Sequence, residues 1–517
     1  MVRPGVLSPS HGTNLSDLKK KLRKRLSKWS REYTFNSELL FFLRNIFVHD
    51  TNIEYLTVLR GGTTMKHSTI IAAALILLGM FLISTQAGAQ DATPNYSGDL
   101  WDRSTLTGDW GGTRNDLAAK GFTADLSLTQ VGQDVADGGK NNTWEYGGRG
   151  NLTVNLDTQK AGWWPGGFML LEVEGNYNRG VNTYTGAVMP VNTNQTFPVA
   201  NGGDNLNVPA LTFMQFLSEH AGVFFGKLDT TSGDDNEFAH GKGDIQFMNT
   251  ALSFNPVFLL VAPSTTLGAG VVILPTAGDP KPSIITFSVI QTNGNAKNSG
   301  FNDLGTNKIT FGPEGRVRTD FFGMTGHQLA GALYSNKTFT SLDQTLRFLP
   351  VNNTIEEKHR SWNVYYNFDQ YFYEPNKGSG QGIGIFGRLG ESDGNPNPMR
   401  YFYSFGVGGK GMFPGRPNDR FGIGYYHINV SNFNITGVRN DPRVLPILNI
   451  SLLRNEYGFE AFYNFAITPW MLLTPDVQLV RPAQGKQVVS GGGPLGLPSL
   501  QSVNTAVVIG IRLQTLF

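Results

Sequence analysis

From Phe122 to the final residue the chain alternates apolar and polar residues with a period of two, a pattern that fits half-buried antiparallel strands and little else. Phe122, Ala124, Leu126 and Leu128 oppose Thr123, Asp125, Ser127 and Thr129. Clear runs recur at 149–157, 169–177, 316–321, 361–369, 456–465 and 504–517, and weaker ones at 211–217, 222–229, 246–253, 266–274, 283–291, 327–336, 382–390, 401–408, 420–430 and 469–480. Turn signals such as Asp137-Gly138-Gly139, Trp164-Pro165-Gly166-Gly167 and Asp393-Gly394-Asn395 separate them. Seventeen runs are one too many for a membrane barrel, which needs an even number, so we expect about sixteen strands of about ten residues. Residues 90–121 read as a lead-in, with a helix over Thr113–Lys120 stopped by Gly121.

A soluble sandwich also alternates, so the choice needs further features. Charged residues are 16% of the chain, well below the ~25% of soluble domains. The polar faces nevertheless carry full charges, while the apolar faces place Trp362, Phe368, Tyr457 and Phe465 near strand ends, as a membrane girdle would. The last residue, Phe517, ends an alternating strand with no polar tail. Only a closed barrel satisfies every backbone group of a sheet in lipid. The expected fold is therefore all-β: a transmembrane antiparallel barrel over 122–517, apolar outside and polar within.

The N-terminal segment supports export. Ile70–Ile83 is apolar but only 14 residues long, too short for a typical span. Lys66 precedes it and Ala87-Gly88-Ala89 follows it, which reads as a signal peptide over 65–89 with Gln90 as the mature start. Residues 1–64 hold an amphipathic basic stretch with Leu15, Leu18, Leu22 and Leu26 at helical spacing. Alone it would suggest a membrane-surface or nucleic-acid helix. Ahead of an export signal neither role makes sense, and we read Met65 as the start and 1–64 as an over-called upstream extension. The first 89 residues hold 12 basic and 5 acidic residues, leaving 30 basic against 35 acidic, a net of −5. No nucleic-acid partner is expected.

Three blocks then bear on family. Leu106-Thr107-Gly108-Asp109-Trp110-Gly111-Gly112-Thr113-Arg114, with Leu117 and Gly121, is the first. Phe225-Gly226-Lys227-Leu228-Asp229 with Phe247-Met248-Asn249 is the second. Glu456, Glu460, Tyr463, Thr468-Pro469-Trp470, Pro475-Asp476, Gln478 and Pro482 form the third. In this order they resemble the carbohydrate-selective porin family, OprB. The resemblance implies a sixteen-strand barrel in a Gram-negative-type outer membrane, passive diffusion of small sugars, and recognition of Phe517 by the barrel assembly machinery.

No nucleophile elbow, zinc-helix, phosphate-loop or EF-hand pattern occurs, and cysteine is absent. His220, His240, His327, His359 and His427 are scattered, so neither metal nor cofactor is expected. Asp234, Asp235 and Glu237 read as an acidic solvated loop rather than a calcium site. The carboxylate pairs Glu172/Glu174 and Glu456/Glu460 read as lumen wall rather than glycosidase machinery, so no enzyme is expected. A sugar in a narrow pore must exchange water hydrogen bonds for protein ones, a task suited to Arg and carboxylates. The expected lumen set is Arg149, Glu172, Glu174, Lys227, Asp229, Arg316, Arg318, Asp320, Glu456 and Glu460. A secreted carbohydrate-binding sandwich or an outer-membrane hydrolase are the alternatives.

Overall fold

The computed structural model describes residues 94–517 apart from 200–205, 280–281, 305, 307, 346–354, 432–434, 437–452 and 490–498. The expected signal peptide, its cleavage point and the upstream extension lie outside the described residues. Sixteen strands form one closed antiparallel barrel. In chain order they are β1 (Phe122–Gly139), β2 (Trp144–Asp157), β3 (Gly167–Asn178), β4 (Asn207–Ser218), β5 (Ala221–Asp229), β6 (Thr265–Ile273), β7 (Ile284–Gln291) and β8 (Ile309–Thr319). They continue as β9 (Gly326–Thr340), β10 (Glu357–Tyr373), β11 (Gly382–Ser392), β12 (Met399–Lys410), β13 (Arg420–Val430), β14 (Glu456–Thr468), β15 (Met471–Arg481) and β16 (Asn504–Leu516). Each pairs with its sequence neighbour, and β1 closes on β16 from Ser127↔Leu516 to Gly139↔Asn504.

Sixteen of the seventeen alternating runs are these strands. The exception, 246–253, is loop and a helical turn, Thr250–Ser253, inside the lumen. Its apolar residues mimic a strand because they are buried against the barrel wall, not because they pair. The lead-in helix α1 spans Thr113–Ala119, and Gly121 leaves it at φ 79°, the left-handed stop expected there.

Leu126, Val271, Phe287, Val317, Ile423, Phe459 and Ile511 all point outward and are exposed. Between them the inward partners are buried or half-buried. Outward aromatics form bands at both strand ends. Tyr403, His427 and Tyr457 stack at one end, and Phe413, Phe421, Tyr463 and Phe465 meet at the other. The two ends differ. At the end holding α1, no connection exceeds ten residues; at the opposite end, 179–206 and 230–264 connect β3 to β4 and β5 to β6.

The lead-in fastens the turn end. Arg114 is buried, donates to the Thr105 hydroxyl, the Ala124 carbonyl and the Phe517 carbonyl, and pairs with Asp125 at 3.0 Å. The Phe517 N–H donates to the Leu126 carbonyl at 2.8 Å. Both ends of the barrel sheet thus meet on one guanidinium.

Candidate functional site: the loop-filled lumen

The wall of β11–β14 presents glycine inward where loop side chains press against it. A Cβ on Gly408 would lie 2.7 Å from that of Phe238, and one on Gly424 would lie 2.9 Å from a Leu252 methyl. This absence of side chains makes a seat for the 230–264 loop. Phe238, Phe247 and Leu252 fill it together with Tyr371, Phe386, Phe402, Tyr426 and Phe462 of the wall. A second cluster packs Phe254, Val257 and Phe258 of the same loop on Ile290, Leu329 and Tyr365.

Charged wall residues hold the loop backbone. Glu460 on β14 accepts from the Met248 and Asn249 N–H groups, the latter at 2.9 Å. Glu456 accepts from Val188, Met189 and Ala483. Arg512 on β16 donates to the Gly243 and Gln246 carbonyls at 2.6 and 2.8 Å. Arg388 on β11 donates to the carbonyls of Leu252 and Ser253 at 3.0 and 3.3 Å and pairs with Asp234 at 2.7 Å. All four are fully buried. A buried charge is tolerable only when paired or hydrogen-bonded; amides and carbonyls of 230–264 supply partners for Glu460, Arg512 and Arg388, and those of 179–206 and of the β15–β16 connection for Glu456.

A further ionic cluster joins β2, β3 and the loop. Arg149 pairs with Asp244 at 2.6 Å, and Lys242 pairs with Glu174 at 3.4 Å and, more closely, with Asp229. Burial alone would push the Lys242 ammonium down; the carboxylates of Asp229, Glu174 and Glu172 outweigh it and hold this loop lysine above the ordinary range. On β8, Arg316 reaches Asp235 at 3.2 Å, and Glu314 accepts from the Tyr365 hydroxyl at 2.6 Å.

These positions revise the expected lumen set. Arg149, Glu174, Glu456 and Glu460 face inward as expected, but loop segments cover them. Asp229 ends β5 bonded to Lys242, Thr231 and Ser232. Lys227 is corrected: its β6 partner is Leu267, on the side of the sheet shared with exposed Phe225, and its amine donates to Ala296 and Asn298 of the β7–β8 loop. Asp320 is corrected too. The strand ends at Thr319, and Asp320 sits exposed in the turn, 3.1 Å from Lys377. Asp234 is a largely buried arginine partner rather than part of a solvated loop, whereas Asp235 is exposed as expected and also pairs with Arg316. Glu172, Arg316 and Arg318 are inward and keep solvent contact; the arginine side chains are 12% and 22% exposed.

The sequence reading missed Arg388, Lys242, Asp244, Glu314 and the role of Arg512. Arg388 follows inward Gly384 and Phe386, so its strand lacks a polar inward row to draw attention. Among the described residues, no cluster of His, Asp and Glu is arranged to hold a metal ion.

The family model described as carbohydrate-selective porin, OprB family, matches residues 141–517. Porin B of Pseudomonas aeruginosa is 24% identical over 485 residues, covering 86% of this chain and 96% of that protein. Putative porin QuiX of Acinetobacter baylyi is 23% identical over 442 residues, covering 77% and 93%. Among solved structures, the high-pH structure of Pseudomonas putida OprB superposes with a TM-score of 0.66 at 21% identity, over 81% of this chain and 99% of that one, a likeness of fold.

Proposed function

Because the chain belongs to the OprB family of carbohydrate-selective porins and is an outer-membrane sugar channel, we propose that its selectivity rests on Glu172, Arg316 and Arg318, inward charges that the two inserted loops do not bury. The observation that carries this reading is the division of inward charges into two sets. Arg149, Glu174, Glu456 and Glu460 are buried under residues of the inserted loops, while these three keep solvent contact. A sugar passing them exchanges water for charge-assisted hydrogen bonds, and Arg offers five donors in a fixed fork.

The short-turn end, with α1, faces the periplasm, and the long loops face outward. The outward apolar band meets lipid, residues 65–89 direct export, and Phe517 is read by the assembly machinery. Transport is passive and needs no catalytic step. Glu456 and Glu460 are engaged by loop amides, which leaves neither for acid–base work on a glycoside.

The test is liposome swelling with neutral sugars and amino acids of matched size. Faster swelling with sugars, reduced when Glu172, Arg316 and Arg318 are replaced, is the expected result. Equal rates for sugars and amino acids would overturn it.

A further inference from the structure

Inward positions of a water-filled barrel are ordinarily polar. On β3, β4 and β5, near the periplasmic end, they are Phe168 and Leu170, then Met214 and Phe216, then Phe224. The register makes them one patch: Phe168 pairs with Met214, and Met214 with Phe224. Phe168 meets Phe216 edge to face, with ring centroids 5.9 Å apart. None of the five belongs to the clusters that the inserted loops cover, and Phe168 is 40% exposed. In the three loop-covered clusters, by contrast, apolar wall is matched by apolar loop. Here Phe168, Leu170 and Met214 line an open cleft of about 290 Å³, which Pro94 and Ala118 of the lead-in also line.

Polar groups border the same cleft: Thr123, Asn155, Asp157 and Thr212. An apolar floor with a few placed hydrogen-bonding groups is the ordinary make-up of a small-molecule site. A pyranose with equatorial hydroxyls matches both parts. Its axial C–H bonds give each ring face an apolar surface that lies on an aromatic ring, and its hydroxyls radiate from the rim. An acyclic polyol has the same hydroxyls but no such face. Leu170 is two residues from Glu172 on the same inward row, so a sugar leaving the open charges reaches the patch next.

We propose that this cleft is a second carbohydrate subsite, at the periplasmic exit, where Phe168, held in place by Phe216 packed edge to face against it, binds the C–H face of a pyranose. It rests on the sugar-channel reading above. The test compares swelling of proteoliposomes in D-glucose and in D-mannitol. Phe168→Ala, Phe216→Ala and their combination should lower the glucose-to-mannitol ratio by roughly three- to tenfold. Phe168→Trp should preserve it, and KCl conductance should stay at the native value in all of them. A native ratio in the double variant would overturn the subsite. Should the double variant fail to show the heat-modifiable band of a folded barrel, Phe168→Leu decides, because it keeps apolar volume and removes the aromatic face. A fallen ratio then supports the subsite and a native one refutes it. Failure of the parent reading looks different: the unmodified protein would not distinguish glucose from an amino acid of matched size.

Discussion

Replacing Arg388 by Met tests whether the 230–264 loop is latched from the wall. Arg388 is fully buried and gathers three parts of that loop: Asp234 at 2.7 Å, Leu252 and Ser253 through their carbonyls, and Ala239 through its own. Methionine keeps much of the apolar stem and removes every donor. Asp234 keeps the Asn367 amide at 3.2 Å as its hydrogen-bond donor among the described residues. Breaking a buried pair from one side costs about 3–5 kcal/mol. The barrel ladder does not use the guanidinium, so the cost falls on loop seating, shifting seated against unseated populations by roughly 10²- to 4 × 10³-fold. Glu460, Arg512 and the glycine seat still act, so we expect a channel that flickers to wider substates rather than one permanently open. Single-channel recording in planar bilayers reads this directly, and protease nicking within 230–264 of a still-folded barrel reads it independently. Arg388→Lys should fall between the two, because an ammonium pairs with Asp234 but cannot span the carbonyls. Native conductance, native noise and native protease resistance in Arg388→Met would refute the latch.

Gly408→Val should loosen the same loop from the other side, since its Cβ would come within 2.7 Å of Phe238; overpacking of about 1–3 kcal/mol predicts raised current noise with strand content by circular dichroism unchanged. Replacing Arg316 and Arg318 together by Ala should shift ion selectivity toward cations and slow sugar flux without lowering the temperature of the heat-modifiability transition; native reversal potentials would remove them from the pore. Deleting Phe517 should reduce the amount assembled in the outer membrane more than it destabilises refolded protein. It also removes a carbonyl partner of Arg114, so Arg114→Ala, at about 1–3 kcal/mol for a lost buried donor set, calibrates the purely structural share. Equal losses in both measurements for the Phe517 deletion would leave no assembly role.

The barrel itself was legible from sequence because side-chain direction in a strand repeats every two residues. Glu456 to Asn464 and Asn504 to Gln514 could be assigned to the inward face with no structure at all, and so could the outward Tyr457, Phe459, Ile509 and Ile511. The helix stop at Gly121 was legible because only a left-handed backbone ends α1 there. Cover and depth were not. Loop residues such as Asp234, Lys242 and Phe247 carry no period, and their partners lie up to more than two hundred residues away, as Met248 does from Glu460. Alternation therefore marked Glu460 as facing the lumen, but only the folded loop above it determined that its carboxylate binds backbone amides instead of solute. The same limit explains Asp320, where a strand end overrides the periodic assignment; Lys227 instead follows the period, on the outward side with Phe225, and its charge alone had suggested the lumen. Periodicity reports which side of a sheet a residue occupies; what stands opposite that side is set by packing between segments remote in sequence.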